Sequence, residues 1–362
     1  MTTLLQIVPQ VPGSFDGVGD YALGLARALA AEHGYRTVFA IAKPTEITAR
    51  EQFPVISGLN SAVQSASYDH VVLHYANYGY QPRGLPFQLR DFARQLRKKI
   101  RGRWITTFHE LYAFGPPWKS AFWLYPFQAR IAHDMIDLSD VCFVSSDTIE
   151  TAIHAHDRAK FVRLVPVMSN FGEPAKVSSD IKLLRRWVIC GGTQLILRSL
   201  RSFLTAHRMI PKPFFPEQLD IVGGREDDAV RVLVQTVERT VPNISCHYSP
   251  EVTASTASDI LRVCSFAWID YFGKGKVWPG MIFKSGSFDA CCAHGVVPIL
   301  SHEQAPPALD GDPFPAWSFI TPRAARFPEP EQVGSTGQKL HVWYHRHASA
   351  ACAARAYAEA LA

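Results

Sequence analysis

Short apolar segments with strand character alternate with amphipathic segments of helical periodicity along almost the whole chain of 362 residues. The pattern starts with TLLQIVPQV and the helix sequence YALGLARALAAEHG, and it continues through WITTFHE, QARIAHDMIDLS and DVCFVSS. Strands that alternate with helices are joined by crossover connections, which pair the strands in parallel and cover both faces of the sheet. The sequence therefore predicts an α/β fold with doubly wound parallel sheets.

A polar segment that contains Gly and Pro, SNFGEPAKVSSD, interrupts this alternation near the middle of the chain. After it the pattern restarts with RRWVICGG and EQLDIVGG, two strand sequences that each run into a glycine turn. We therefore predict an N-terminal domain over 1–170, a linker over 171–182 and a C-terminal domain over 183–335. The alanine-rich remainder, 336–362, is predicted to be helical and to pack back on the N-terminal domain.

Composition excludes several classes of protein. Apolar residues make up 47% of the chain and charged residues 19%, which argues against a disordered chain. The seven cysteines are irregularly spaced and contain no Cys-x-x-Cys pair, which predicts reduced thiols and no metal site. The N-terminus does not have the pattern of a signal peptide, and no apolar run reaches about 18 residues, so we expect a cytoplasmic protein.

Turns of small residues recur after the predicted strands. They are Gly17-Val18-Gly19, Gly191-Gly192, Gly223-Gly224 and Ser285-Gly286-Ser287. Such a turn exposes backbone N–H groups, and the helix behind it directs the positive end of its dipole toward a bound anion. Each turn, taken alone, could equally be a tight connection between a strand and a helix that binds no ligand. None completes the dinucleotide-binding fingerprint or a phosphate-binding loop, so a dehydrogenase is not indicated.

The segment KSGSFDACCAHGVVPIL, residues 284–300, is the strongest of these signals. Ser285 and Ser287 can cap the start of a helix and can also donate to phosphate oxygens. Gly286 permits a close approach of the backbone, and Lys284 adds a compact positive charge. The alternative is a well-capped buried helix without a ligand, and the residues alone leave both interpretations open.

In their order along the chain, these motifs resemble those of the retaining GT-B glycosyltransferases of the large "group 1", family 4-like type. PGSFDGVGDYALGLARAL resembles that family's N-terminal glycine loop and helix, TTFHE its strand ending in His-Glu, and LVPVMSN its interdomain segment. VICGG followed by Arg198 matches its strand, glycine and basic-residue spacing, and KSGSFDACCAHGVVPI resembles its sugar-nucleotide motif. The resemblance covers nearly the whole chain and implies a GT-B fold, with two doubly wound Rossmann-like domains facing a central cleft.

The resemblance also implies roles in the transfer of a hexose, with retention, from a UDP or GDP sugar. His109 would lie beside the transferred sugar. Arg198 and Lys284 would neutralise the diphosphate leaving group, so neither a metal nor a cofactor is expected. The residues expected to bind the donor are Gly17, Gly192, Ser285, Gly286, Ser287 and, in place of a missing glutamate, Asp289.

Departures from the family's pattern leave other functions open. Ala290 stands where the family has its ribose-binding glutamate, and on a helix the adjacent Asp289 points about 100° away. Val297 adds one residue between Gly295 and Pro298. A catalytically silent protein that binds glycans or nucleotides is therefore an alternative, as is a sugar-nucleotide epimerase on the same scaffold.

The acceptor is less well defined than the donor. The resemblance implies a glycan or a lipid-linked acceptor in polysaccharide biosynthesis of a bacterial type, and His74 either lines its cleft or is structural. The basic helix end RQLRKKIRGRW and the aromatic tract LYAFGPPWKSAFWLYPF indicate a peripheral contact with the inner membrane face, or else a solvated helix and an ordinary core loop. The charge is scattered and no recognition motif occurs, which predicts no nucleic acid partner.

Overall fold

A computed structural model describes residues 2–10, 17–42, 52–64, 68–273, 277–300, 308–315, 318–320 and 325–362. The chain divides into two compact units, Met1–Pro166 together with Ala350–Ala362, and Val167–Ser349. The chain thus returns to the first unit at Ala350, whereas we placed the start of the returning segment at residue 336.

The described residues of the first unit form a seven-stranded, wholly parallel sheet. Its strands are β1 (Thr3–Val8), β2 (Arg36–Ile41), β3 (Val55–Ser57), β4 (His70–Tyr75), β5 (Trp104–Phe108), β6 (Val141–Val144) and β7 (Val162–Leu164). Its helices before the crossing into the second unit are α1 (Gly17–His33), α2 (Leu59–Gln64), α3 (Asn77–Tyr80), α4 (Phe87–Arg97), α5 (Ser120–Leu138) and α6 (Asp147–His156). The strand order is β3-β2-β1-β4-β5-β6-β7, so the direction of winding reverses between β1 and β4.

The central strands of this sheet are buried on both faces, as expected for a parallel sheet that crossover connections cover on both sides. Every residue of β5 and β6 is buried. Tyr75, Trp104 and Phe108 are fully excluded from solvent in the core on one side of the sheet. Burial of side chains of this size stabilises the fold by about 1.5–3 kcal/mol each.

The described residues of the second unit form another seven-stranded sheet, parallel except for its last pair of strands. Its strands are β8 (Leu183–Cys190), β9 (Gln218–Val222), β10 (Ser245–Ser249), β11 (Cys264–Ile269), β12 (Val297–Leu300), β13 (Ser318–Ile320) and β14 (Ala325–Arg326). Its helices are α7 (Thr193–Ala206), α8 (Asp228–Thr240), α9 (Ala254–Val263), α10 (Gly286–Ala293) and α11 (Val333–His347), with 3-10 helices at His207–Met209, Lys212–Phe214, Pro279–Lys284 and Pro330–Gln332. The order β10-β9-β8-β11-β12-β13-β14 reverses between β8 and β11.

The last helix, α12 (Ala350–Leu361), belongs to the first unit and packs against α1. Buried small residues such as Ala353 allow the close approach, and Tyr357 fills the interface. The Tyr357 hydroxyl forms hydrogen bonds with Thr107 Oγ1 (2.5 Å) and Tyr21 Oη (3.5 Å). Helix α11 packs instead on α10 within the second unit, which is why the crossing falls at Ala350.

Lys182, at the end of the predicted linker, is packed inside the second unit. Its Nζ donates hydrogen bonds to the carbonyl oxygens of Leu261 (3.2 Å), Cys264 (2.8 Å) and His294 (2.8 Å). These carbonyls lie at the C-terminal ends of α9 and α10, where a cation complements the helix dipole. Burial lowers the pKa of Lys182 to about 8.

Candidate donor-binding site and its surroundings

Residues after β8 and β11 lie at the carboxyl edge of the second sheet, at the point where the strand order reverses. Ligands of doubly wound sheets bind in the crevice at such a point. Strand β8 runs into Gly191 and Gly192, and Gly192 is the N-cap of α7. Strand β11 runs into Asp270, whose backbone N–H donates to Ser199 Oγ on α7 (3.0 Å). The second unit therefore carries one of the predicted anion-binding turns at its topological switch point.

The glycine turns after β8 and β9 lie directly against each other. A Cβ built on Gly223 would lie 2.9 Å from the Gly191 carbonyl oxygen, and one built on Gly224 would lie 2.9 Å from the backbone nitrogen of Thr193. Gly223 and Gly224 have φ angles of +94° and +68°, so a larger residue would be strained at either position. A side chain at either position would therefore collide with the backbone where the chain enters α7.

The start of α10 lies beside the first of these turns. The Ser285 hydroxyl caps α10 by accepting a backbone hydrogen bond of 3.3 Å. The Ser287 hydroxyl lies over Gly191, because a Cβ built on Gly191 would overlap Ser287 Oγ. The structure therefore brings together Ser287 and the turn that contains the predicted Gly192, although they are far apart in the sequence.

Residues 168–173 reach the same edge of the sheet, although we assigned them to the end of the first domain and to the linker. A Cβ built on Gly286 would lie 3.4 Å from Asn170 Nδ2, and the ring of Phe171 lies 3.3 Å from one built on Gly223. This segment supplies an amide and an aromatic ring beside the glycine turns. The LVPVMSN motif, which ends at Asn170, is the signal in the sequence that could have included it.

The two predicted cations lie on the elements that carry the turns. Lys284 ends the 3-10 helix directly before Ser285 and is partly buried. Arg198 is exposed on the second turn of α7. Burial raises the pKa of Tyr271, just after β11, to about 12, and the positive charge of Arg198 opposes that rise. Arg198 therefore acts on the same edge of the sheet as the residues that follow β11.

Asp289, which we predicted to replace the ribose-binding glutamate, is enclosed behind the start of α10. Its side chain is 0% exposed, and neither carboxylate oxygen has a hydrogen-bond partner among the described residues. Burial, followed by the nearby Glu173 carboxylate, holds the pKa of Asp289 well above its usual range. Glu173 itself accepts a 2.6 Å hydrogen bond from the Tyr344 hydroxyl. A ribose contact for Asp289 stays a prediction, and this arrangement does not open its carboxyl to solvent.

In the first unit, His109 follows β5 and lies beside a fully buried histidine. His109 Nε2 is 3.2 Å from His74 Nδ1, and His74 Nε2 is 2.8 Å from Gln6 Oε1. An amide oxygen only accepts, so His74 carries its proton on Nε2 and accepts at Nδ1 from His109 Nε2–H. Burial, and then the His109 ring, lower the pKa of His74 well below its usual range, so His74 is neutral. The sequence left His74 as either a cleft residue or a structural one, and its contact with His109 was not foreseen.

The predicted Gly17 is the first residue of α1 and is exposed. Among the described residues, a Cβ built on it would meet nothing within 4 Å. The rest of the predicted glycine loop, 11–16, lies outside the described residues.

Two of the six basic residues in the helix end that suggested a membrane contact are paired with carboxylates. Arg94 lies 3.1 Å from Asp134, and Arg97 lies 3.1 Å from Asp140. These acids belong to α5 and the loop after it, some distance along the chain. Over the residues that the structure describes, no helix combines the length and the apolar character needed to cross a bilayer.

A metal site is not evident in the described ranges, where no three His, Cys, Asp or Glu side chains are grouped so as to hold an ion. The cysteines, described in full, are free thiols. The predicted independence from metals and cofactors is not tested by these observations and stays a prediction.

No family model and no curated protein matches this chain. Among solved structures, the chain is similar to an alpha-glucosyltransferase in complex with UDP-glucose and DNA containing an abasic site, with a TM-score of 0.62, 12% identity and 99% of each chain covered. A glycosyltransferase from Rickettsia africae ESF-5 gives a TM-score of 0.60 at 11% identity, over 99% of this chain and 97% of that one. WaaG, a glycosyltransferase involved in lipopolysaccharide biosynthesis, gives a TM-score of 0.52 at 10% identity, over 99% of this chain and 95% of that one.

These comparisons correct one prediction. We expected no nucleic acid partner, yet several of the similar structures are alpha-glucosyltransferase complexes that contain DNA. The exclusion was wrong, because scattered charge and a missing recognition motif do not rule out a DNA-modifying enzyme on this scaffold.

The predicted fold class is confirmed. Two doubly wound parallel sheets in succession, together with full-length similarity to GT-B glycosyltransferases, show that this chain has the GT-B fold.

Proposed function

We propose that the chain is a retaining glycosyltransferase that moves a hexose from a nucleotide-diphosphate sugar, UDP or GDP, to a glycan or a glycolipid. The observation that carries this proposal is the convergence of two glycine turns and the start of α10 at the switch point of the second sheet, on a GT-B fold.

The chemistry of glycosyl transfer explains why these groups are needed together. The leaving group is a nucleoside diphosphate, whose negative charge grows as the glycosidic bond breaks. Backbone N–H groups at the starts of α7 and α10 suit such an anion, since both helices direct their positive ends toward it. Lys284 and Arg198 add the charge that a metal would otherwise supply, and the proposal needs neither a metal nor another cofactor. Ser285, Gly286 and Ser287 would bind the donor's phosphates and sugar.

In the first unit, the proposal assigns contacts with the donor phosphates to Gly17 and with the transferred sugar to His109. The bond from His109 to the neutral His74 fixes the His109 tautomer, so that Nε2 carries the proton. A ring with a fixed tautomer presents one defined hydrogen-bonding edge to a sugar hydroxyl. This supports the assignment of His109 to binding the sugar.

The identities of the donor and the acceptor are parts of the proposal with different support. UDP is favoured as the donor's nucleotide because similar structures contain UDP or UDP-glucose. WaaG supports a glycolipid acceptor, and a lipid acceptor would bring the enzyme to the inner membrane face. The DNA-containing alpha-glucosyltransferases favour a second candidate, transfer of glucose to a modified base. A silent binder is the alternative to both, since Ala290 lacks the family's carboxylate.

The test is a transfer assay with a panel of donors and three classes of acceptor. The purified chain is incubated with UDP and GDP sugars and with oligosaccharides, glycolipid vesicles or duplex DNA that contains a hydroxymethylated base. We expect release of one nucleoside diphosphate and a product with retained anomeric configuration by NMR. Lys284→Ala and Arg198→Ala should abolish release, while Arg201→Ala, an exposed arginine on the same helix, should not. If no donor is consumed with any acceptor, the chain is a binder and the enzyme proposal is wrong.

A further inference from the structure

Five large aromatic side chains stand exposed within one short stretch of the first unit. They are Phe114 (78% exposed), Trp118 (82%), Phe122 (40%), Trp123 (67%) and Phe127 (57%), and we call them the aromatic patch. Contiguous exposed apolar surface on a folded protein marks a contact site more often than chance exposure does. The donor chemistry proposed above uses none of these residues.

The patch sits on a part of α5 that is not buried in the core of the first unit. None of residues 120–127 is buried, whereas the buried face of the helix begins at Gln128. The first two turns of α5 therefore lie at the surface of the unit and carry Phe122, Trp123 and Phe127. Their aromatic content is not explained by the core of the first unit.

The patch is nevertheless held in a defined shape. Gln128, fully buried at its base, accepts from the Ala113 N–H (2.9 Å) and donates to the Arg83 carbonyl (2.9 Å). The Phe114 ring packs edge-on against Tyr125, with ring centres 4.8 Å apart. Ordered aromatic groups lose little further conformational freedom when they bind a partner.

Several details favour a lipid bilayer as that partner. Phe114, Trp118 and Trp123 are each more than two-thirds exposed, so they protrude and do not line a groove that would receive a helix or a strand. The Trp123 indole N–H already donates to the Pro117 carbonyl (2.9 Å), so the ring can leave water without losing a hydrogen bond. Trp and Phe on an exposed segment are the side chains that enter the boundary between headgroups and acyl chains.

The charges around the patch point the same way. No Asp or Glu occurs between Glu110 and Asp134, so no carboxylate within the tract opposes contact with lipid. Lys119 is exposed beside Trp118, where it can reach headgroup phosphates. Nucleic acid would need several phosphate-neutralising cations, and between Leu111 and Gln128 Lys119 is the single one.

We propose that the aromatic patch is a membrane-docking surface that inserts its Trp and Phe side chains into the interfacial layer of a bilayer. The attachment is driven by aromatic insertion, because the patch is made of exposed aromatic rings and Lys119 is the single cation between Leu111 and Gln128. It needs no donor and no acceptor, and it therefore stands apart from the proposed transferase activity. A glycolipid acceptor would lie in the same bilayer into which the patch inserts.

The experiment measures binding of the full chain to vesicles of phosphatidylcholine, with and without anionic lipid. We expect wild type to cosediment with both, and its tryptophan fluorescence to be quenched by brominated lipid. Phe127→Ser, and more strongly Trp118→Ser combined with Trp123→Ser, should weaken partitioning by about tenfold or more, because each aromatic ring buries a large apolar area. Phe161→Ser is the matched control, since Phe161 is 58% exposed in the same unit but lies outside the patch, and it should bind like wild type.

Four results would overturn the proposal. One is absence of binding at millimolar lipid, and another is equal binding by wild type and the double tryptophan variant. The third is self-association of wild type, lost in that variant, without vesicle binding, which would assign the patch to a second copy of the chain. A fall in binding of about 100-fold on raising the salt would show attachment by charge and reject insertion. Sugar transfer to a soluble acceptor is measured in parallel. Because this assay contains no lipid, failure of membrane binding can be told apart from failure of the enzyme proposal.

Discussion

Replacing the buried Asp289 by asparagine gives a pH-dependent test of the second unit. Among the described residues neither Asp289 oxygen has a hydrogen-bond partner, and burial raises its pKa well above the ordinary value of 3.8. The folded protein therefore keeps this carboxyl protonated at pH values where the unfolded chain ionises it. Above about pH 4, up to the raised pKa, this difference costs about 1.4 kcal/mol of folding free energy for each pH unit. Asparagine has nearly the same size and carries no such cost.

We therefore expect Asp289→Asn to become more stable relative to wild type as the pH rises. From about pH 5 upward toward the raised pKa, the difference in free energy of unfolding between the two proteins should grow steadily, and the difference in melting temperature should grow with it. Scanning calorimetry of both proteins at several pH values measures the difference. Asp228→Asn, at an exposed position on α8, is the control and should follow the wild-type profile. Parallel profiles for wild type and Asp289→Asn would refute the buried, uncompensated carboxyl.

Other single substitutions in the second unit make further predictions. Gly191→Ala should lower the free energy of unfolding by about 1–3 kcal/mol in a thermal melt, because φ at Gly191 is +134° and the new Cβ overlaps Ser287 Oγ. Gly192→Ala is the control and should fold normally, because φ is −73° and the new Cβ would meet no described atom within 4 Å. Equal losses for the two would contradict the turn geometry. Burial lowers the pKa of His294 to about 4, so its contribution to stability is complete above about pH 6.5 and is lost as the pH falls toward 4. His294→Gln should flatten that loss in an acid titration followed by circular dichroism, and an unchanged acid midpoint would reject it. Lys182→Met removes the hydrogen-bond donor from three carbonyls and should lower the free energy of unfolding by about 3 kcal/mol in denaturant. Lys182→Arg keeps a donor there and should lower it by less.

The layered fold was predictable because each strand carries its own signal. WITTF and VCFV consist largely of aromatic and β-branched residues and carry no charge, as suits strands buried on both faces, and helices follow at regular spacing. The Gly191-Gly192 and Gly223-Gly224 turns were located correctly for the same reason, since each directly follows its strand. Gly17-Val18-Gly19 instead begins α1, and Ser285-Gly286-Ser287 follows a 3-10 helix. The start of α10 was also predicted, because Ser285 and the small residues after it are a local capping signal.

Contacts between distant parts of the chain could not be predicted in this way. The position of Ser287 over Gly191 depends on the strand order, which places β8 next to β11. Residues 168–173 have a polar, linker-like sequence, so their place beside the glycine turns was missed.

The same limitation affected the electrostatic predictions. The basic character of the helix end was visible in the sequence, but its acidic partner Asp134 is supplied by α5, far along the chain. Full burial of Asp289 likewise depends on the surroundings of α10 and not on its own sequence. The prediction that excluded a nucleic acid partner was wrong because the net charge and the absence of a motif describe the whole chain and not its acceptor surface.

The most direct test of the central claim is the binding of nucleoside diphosphates to the second unit's glycine turns. Melting temperatures are measured for wild type, Lys284→Ala, Arg198→Ala and the control Arg201→Ala with UDP, GDP, ADP, CMP or no ligand. A ligand at about 100 times its Kd stabilises the native state by about 2.7 kcal/mol, which is a rise of several degrees. We predict such a rise with UDP or GDP in wild type and Arg201→Ala, and its loss in Lys284→Ala and Arg198→Ala. No rise with any nucleotide at millimolar concentration, or an equal rise in all four proteins, would contradict a donor site at these turns.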